Sequence, residues 1–378
     1  MPARRLERFK IKILAFLSFL MLTAISFIVI LAILILVHEL GHFLVAKKFG
    51  IKVEEFGFGF PPKIFGIKKG ETLYSLNLLP FGGFVKIFGE DGQEKQNKRS
   101  FGAKKIWQRA SVLLSGPAMN LLLAALLLSL GFMIGLPWSV SDTDNVNSAK
   151  VQITQIAPNS PAQTAGLKTG DIVLGTSGPN GKIDSLDKVV DLQVFIENNK
   201  GQEVLLSLKR GQDVLTVKLI PRINPPADEG AMGVGLARVS NISFPWYSAI
   251  WEGIKMTLSL TWLTISSLFY LIWQLFSSGQ AGGEVTGPVG IYSITGQAAQ
   301  MGFVYLLQLA ALLSINLGVI NAFPFPALDG GRVLFLIIEK IKRSPISERV
   351  ERTIHSAGFI FLILLMVVVA FRDIVRLF

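Results

Sequence analysis

The chain contains no cysteine. That removes disulfides, thiolate metal ligands and a cysteine nucleophile, and it leaves the compartment open. Histidine is scarce: there are three in 378 residues. Charge is thin as well, with Asp, Glu, Lys and Arg at 17% of the sequence, where soluble domains average about 25%. Acidic residues are the minority, 26 against 37 basic, for a net charge of +11. No DNA- or RNA-binding module accompanies that excess, so no nucleic-acid partner is expected. Surplus Lys and Arg also collect in the cytoplasmic loops of membrane proteins.

Apolar residues fill the space instead, at 51%. No charge occurs from Ile13 to Val37. A membrane span needs about 20 such residues. The runs predict spans at about Thr23–Ala46, Ala110–Gly135, Met301–Phe323 and Ile354–Phe371. Basic Met1–Lys12 followed by an apolar run resembles a signal peptide. The run is too long for one and is expected to be retained.

The first run ends on the most informative stretch, His38-Glu39-Leu40-Gly41-His42. Helix positions four apart share a face. His38 and His42 can therefore offer two imidazole nitrogens to one metal ion, with Glu39 placed to act as a base. Ionisable groups at the end of an apolar span are costly and read as functional. The plainer reading is a set of interfacial polar residues that share this spacing by chance.

A second candidate lies far downstream. Asn316 to Arg332 closes the third span, and Pro324 and Pro326 stop the helix there. Broken backbone at membrane depth is tolerated where it lines a cavity. Asp329 is either the cap of a helix starting at Gly330 or a third ligand. Paired with the first motif it completes His2Asp with an open position, the catalytic zinc arrangement. Asn120, in Ser115-Gly116-Pro117-Ala118-Met119-Asn120, is either a partner of the metal helix or a plain helix–helix hydrogen bond. His355, the third histidine, reads as interfacial.

Charge sets the expected topology. Lys47–Arg109 is rich in Lys and Arg, and so is Arg332–Arg352, which places both in the cytoplasm. The first of these loops reads as β-rich at Val53–Phe60, Thr72–Leu78 and Gly83–Phe88. Its many Phe suggest a hairpin dipping into the membrane; the alternative is a small cytoplasmic hairpin with an ordinary core. Ser139 to about Arg222 is soluble in character. It carries expected strands at Val151–Ile156, Ile172–Gly175, Glu203–Leu208 and Val214–Ile220, and a helix at about Leu186–Asn198. Within it, Ser160-Pro161-Ala162, Ala165-Gly166-Leu167 and Gly170-Asp171-Ile172 look like the signature of bacterial PDZ domains, which bind extended peptides by strand addition. A degenerate PDZ acting as a size filter is the other reading. Parity makes Met256–Phe276 a membrane-surface or re-entrant helix, with Gly282–Gly290 as the turn after it. Arg4, Arg5, Arg8, Lys10 and Lys12 then lie outside, against the positive-inside rule.

Together His38-Glu39-Leu40-Gly41-His42, Gly57-Phe58-Gly59, Phe81-Gly82-Gly83-Phe84-Val85-Lys86, the PDZ insert, Gly287-Pro288-Val289-Gly290 and Asn321…Leu328-Asp329-Gly330-Gly331 resemble the site-2 protease family of intramembrane zinc proteases. The regulator-of-sigma-factor proteases of bacteria are the nearest type. The resemblance covers nearly the whole chain. It implies that His38, His42 and Asp329 bind Zn2+, that Glu39 is the general base, and that Asn321 positions substrate. It also implies that the hairpin, at Gly57, Phe58, Gly59, Gly83 and Phe84, meets the substrate strand. Substrates would be single-span membrane proteins, such as anti-sigma factors or signal-peptide remnants, with a trimmed end or peptide at the PDZ. The location implied is the bacterial cytoplasmic membrane. Room for only one PDZ and a long N-terminus depart from some relatives.

The expected fold is thus a polytopic α-helical membrane protein of about four transmembrane helices, with a membrane-associated β-rich loop and one extracytoplasmic PDZ domain. Its expected parts are 1–135, 139–222, 223–300 and 301–378. A membrane zinc transporter would need neither Glu39 nor a PDZ, and a PDZ scaffold would not need the metal triad.

Overall fold

The computed structural model describes residues 2–90, 96–144, 146, 149–211, 213–226, 229–278, 286–344 and 346–375. Gly282–Val285 of the expected turn and the side chains of the basic N-terminus lie outside that description.

In chain order the elements are α1 (Pro2–Lys48), β1 (Val53–Lys69), β2 (Thr72–Ile87), α2 (Ile106–Ile134), β3 (Leu136–Ser139), β4 (Lys150–Ile156), α3 (Pro161–Thr164), β5 (Ile172–Gly178), β6 (Gly181–Ile183), α4 (Val189–Asn198), β7 (Val204–Arg210), β8 (Asp213–Leu219) and β9 (Val234–Ile242). Then follow α5 (Trp246–Ser278), α6 (Pro288–Met301), α7 (Phe303–Ala322), α8 (Asp329–Lys342) and α9 (Glu348–Val375). They form two compact units, one of residues 1–130, 250–296 and 307–378, the other of 131–249 and 297–306.

The first unit is helical apart from its hairpin. Among the described residues five helical stretches are long and apolar enough to cross a membrane: Leu20–Lys48, Ile106–Ile134, Trp246–Gln274, Phe303–Ala322 and Arg349–Val375. Four correspond to the expected spans. The third contains Met256–Gln274 of the expected surface helix, and its helix is continuous over 33 residues. Glycine sets the spacing of these helices. A Cβ at Gly41 of α1 would lie 2.4 Å from the Ser115 carbonyl oxygen on α2. One at Gly318 of α7 would lie 3.1 Å from the Pro117 oxygen. Helices in lipid gain from such backbone-to-backbone approach. Ser314 of α7 seals the second contact by donating to the Asn120 main-chain oxygen at 2.7 Å.

The hairpin of β1 and β2 folds back on itself. Val53–Phe58 stands beside Gly83–Ile87, and Phe65–Lys69 pairs with Thr72–Leu76. The register shifts between Phe60 and Phe65, around Pro61 and Pro62, which have no N–H to give the ladder. Phe43 on α1 packs edge-on against Phe56 and Tyr74, tying the hairpin to the metal-motif helix. Its far end leaves Phe60, Ile64, Phe65, Ile67, Leu78 and Leu79 exposed.

The second unit is built on a sheet of order β3-β9-β4-β5-β7-β8, with β6 paired to β5. Val151, Ile153, Val173, Leu206 and Leu208 point inward from alternate positions to meet Leu192, Phe195 and Ile196 of α4. Each such side chain, fully buried, contributes about 1.5–3 kcal/mol. Ser160 caps α3 by accepting from the Gln163 amide, with Pro161 at the first helical position. The buried Asp171 carboxylate takes two bonds from Arg210, at 2.6 and 2.7 Å. The unit is wider than 139–222, because β3 and β9 on either side belong to the same sheet.

Candidate metal centre

One helical turn of α1 carries His38, Glu39 and His42, and the spacing of four turns both imidazoles the same way. Both rings are buried. Asp329, the first residue of α8, meets them. His38 Nε2 lies 3.1 Å from Asp329 Oδ2, His42 Nε2 lies 3.4 Å from it, and the two Nε2 atoms are 3.2 Å apart. Tetrahedral zinc with bonds of about 2.0–2.1 Å separates its donors by about 3.3–3.4 Å. Three donors already stand at that spacing, so these residues fit zinc. Asp329 does not act as the cap of its helix: the cap position is Leu328, and the carboxylate faces the imidazoles.

The far nitrogens of the rings are also engaged. His42 Nδ1 donates to the Val112 carbonyl at 2.7 Å, which leaves Nε2 free as a ligand. His38 Nδ1 lies 3.2 Å from the Asn120 amide, and Asn120 is fully buried. Asn120 therefore faces the metal helix. Its Oδ1 has no partner. A half-turn of that amide, which leaves its shape unchanged, brings Oδ1 to His38 Nδ1–H. That is the partner a metal-ligating imidazole uses to fix its tautomer.

Glycine makes the room. A Cβ at Gly116 would stand 2.4 Å from His42 Nε2 and 2.8 Å from His38 Cε1. The Ser115-Gly116-Pro117 stretch thus serves both helix approach and the space around the donors.

Asp329 hangs on irregular backbone. A Cβ at Gly330 would lie 2.2 Å from the Ala322 oxygen, and one at Gly331 2.2 Å from the Phe325 oxygen. Ala327 sits at φ 78° and donates its N–H to His355 Nδ1 at 2.9 Å. A Cβ at Gly358, one turn on in α9, would lie 2.5 Å from Pro326. His355 therefore braces the loop that carries Asp329. Its signal was lost in sequence because its partner is 28 residues away.

A cavity of about 240 Å3 opens on the triad. Glu39, Phe84, Val85, Glu90 and Arg332 line it with the three candidate ligands. Arg332 is paired with Glu90. Gly83 lies close to Glu39, since a Cβ there would meet the Glu39 Cγ at 3.4 Å. Gly57 faces Phe84 and Phe58 faces Gly83 across the hairpin. Gly59 holds φ 79° against the Leu79 oxygen. So Phe84 is brought to the cavity and Gly83 to Glu39, with Gly57 and Phe58 one strand behind. Asn321, in the last turn of α7, is half-buried and is not among the cavity-lining residues.

Two buried histidines, a carboxylate at donor spacing and a second carboxylate beside them define a metalloprotease-type centre in a protein of long apolar helices. The chain belongs to peptidase family M50, the site-2 protease family, whose profile matches residues 26–365. It is 40% identical to a protein of Clostridium perfringens named as a putative zinc metalloprotease, over 90% of this chain and 95% of that one. It is 32% identical to the regulator of sigma-W protease RasP of Bacillus subtilis, over 94% of this chain and 99% of that one. The zinc metalloprotease RasP of Bacillus licheniformis is 31% identical over 94% and 99%. The chain is a membrane zinc metalloprotease.

Proposed function

We propose that this zinc protease cuts the transmembrane segments of single-span proteins, with His38, His42 and Asp329 as ligands and Glu39 as base. The observation that carries the reading is the triad at zinc spacing with Glu39 on the same cavity wall. Zinc held there acidifies a water and polarises a carbonyl. Glu39 takes the proton of the attacking water and returns it to the leaving amine. Its neighbour Gly83 lets a substrate backbone approach, because a side chain there would fill the space against Glu39. A transmembrane helix must unwind before attack. The Gly83–Val85 edge beside Glu39, with Gly57, Phe58 and Gly59 behind it, offers strand bonds in place of the lost helix bonds. Asn321 is proposed to hold substrate from the α7 end. Asn120 and the Val112 carbonyl fix the two imidazoles.

The exposed apolar end of the hairpin supports its dipping into lipid. The charge bias supports a four-span chain in a bacterial cytoplasmic membrane, with α5 on or in the outer leaflet and the second unit outside. The order of strands in that unit supports a PDZ-type domain. The likeness to a regulator of sigma-W favours anti-sigma factors as substrates, and signal-peptide remnants are the other class proposed.

Glu39→Gln tests the chemistry. It keeps size and removes the base, which typically costs on the order of a hundred- to ten-thousand-fold in rate. Cleavage of a synthetic transmembrane peptide should fall that far while bound zinc stays at about one per chain. Near wild-type cleavage by this variant overturns the mechanism; loss of zinc instead makes Glu39 a ligand or a structural residue.

A further inference from the structure

A sheet edge with unpaired N–H and C=O groups beside a helix is where an extended peptide adds as a strand. In the second unit that place is β9. On one side β9 pairs with β4, from Val234 to Val239. On the other it is packed near α4, whose Leu192, Phe195 and Ile196 share a core with Val234 and Leu236.

That second edge is not free. β3 lies along it, antiparallel, pairing Leu136 with Ile242 through Ser139 with Val239. Val140 continues the ladder by donating to the Arg238 oxygen at 2.8 Å. β3 is an outer strand, and this is why it tolerates Pro137. The chain then crosses from β9 to α4. Asp142 accepts from the Val189 and Val190 amides at 3.2 and 3.0 Å, so its carboxylate sits on the positive N-terminus of α4. Arg238, buried on β9, clasps the segment. Its guanidinium donates to the carbonyls of Ser141, Asp144 and Val146, and to that of Asp187 just before α4. A strand ladder, a helix-end carboxylate and a buried guanidinium thus hold one segment independently.

We infer that Leu136–Asp144 is a built-in strand that occupies the Arg238–Ile242 end of this edge and limits what can add beside it. Only Val234–Ala237 stays unpaired on that side among the described residues. A peptide lying antiparallel there and running past Ala237 meets Val140. The unit is therefore closed to any longer extended strand unless the segment lifts. This rests on the PDZ-type reading above, and it answers which partner that domain excludes.

The test uses the full-length protein in detergent. Val140 and Arg238 are hydrogen-bonded partners, so Ser139 and Val239 form the close, non-hydrogen-bonded kind of pair, with Cα atoms about 4.5 Å apart. That suits a disulfide. The chain has no other cysteine, so Ser139→Cys with Val239→Cys reports the seat without background. Mild oxidation should link the pair in most molecules; two freely alkylated cysteines overturn the inference. A fluorescent peptide of sequence Leu136–Val146 supplies the second reading by anisotropy. Wild type should bind it at least about tenfold more weakly than Val140→Pro, since the seated segment taxes any competitor by the fraction of time the edge is open. Equal, saturable binding to both, with the cysteine pair left unlinked in the Val140→Pro background, overturns the closure. If the cysteine pair links with Val140 in place and fails to link in the Val140→Pro background, yet that variant still ignores the peptide, the PDZ-type reading fails while the seated segment stands.

Discussion

The two halves of the proposed metal centre are built in opposite ways. His38 and His42 ride on one turn of a regular helix, and their far nitrogens are met by a neighbouring helix at Val112 and Asn120. Asp329 follows six residues of irregular chain whose shape depends on two glycines, one left-handed alanine and a histidine on α9. The first half is positioned by helix geometry, the second by its braces. Damage to the first should act through donor atoms directly. Damage to the second should act in proportion to how far the loop relaxes.

The sharpest break is removal of the donors. His38→Ala, His42→Ala and Asp329→Ala should each lose bound zinc and all detectable cleavage of a synthetic transmembrane peptide. Metal analysis of the purified variants checks it. If Asp329→Ala kept zinc and activity, the second half would be only a helix start, and the comparison would collapse to one functional half.

Next comes the space around the donors. At Gly116 the added methyl of alanine meets His42 Nε2 itself. Strain from overpacking is about 1–3 kcal/mol, and here it falls on a proposed ligand atom. Zinc affinity in Gly116→Ala should drop by about a hundredfold, near the top of that range. Gly318→Ala, against the Pro117 oxygen at 3.1 Å, should lower thermal stability and spare zinc affinity. A chelator competition run on both variants separates the two. Equal losses of zinc would mean helix separation, not donor contact, is what Gly116 protects.

Asn120 sharpens the first half further. Outer partners of ligating histidines are typically worth about 10- to 100-fold in metal affinity. Asn120→Leu, similar in size with no acceptor, should lose that much. Asn120→Asp should recover it, because a carboxylate accepts from His38 Nδ1–H. A structural role alone would leave Asp no better than Leu.

What was legible follows from the same contrast. His38, Glu39 and His42 announce themselves because a helix turns sequence spacing into a shared face. Asp329 was legible only beside them, since its cap reading and its ligand reading look alike in one dimension. Asn120 stood undecided because its partner lies 82 residues away. In the second unit β4, β5, β7 and β8 fell close to their expected ranges, where β-branched and leucine residues alternate. β9 escaped notice, set between Gly233 and Gly235 at one end and Phe244-Pro245 at the other. β3 has a proline in its four residues and pairs with a strand about a hundred residues on. For α5 the apolar run was plain, but its extent was not: the helix begins ten residues before Met256.

The mildest expected effect tests the loop's brace. His355 Nδ1 accepts the Ala327 N–H at 2.9 Å, and its ring lies against Phe335 with centroids 5.3 Å apart. His355→Phe keeps the ring contact and removes the acceptor. An amide left without a partner costs about 1–3 kcal/mol. The loop can recover part of this by opening the Ala327 turn, whose left-handed backbone already costs alanine about 1–2 kcal/mol. Asp329 would then swing away from the imidazoles for part of the time. Zinc affinity should fall by about tenfold, less than for Asn120→Leu, because the donor is tethered rather than destroyed. His355→Asn should restore it, since the asparagine Oδ1 occupies nearly the position of Nδ1 and accepts the same bond. If His355→Phe binds zinc as tightly as wild type, the loop is self-supporting, and the two halves of the centre are alike after all.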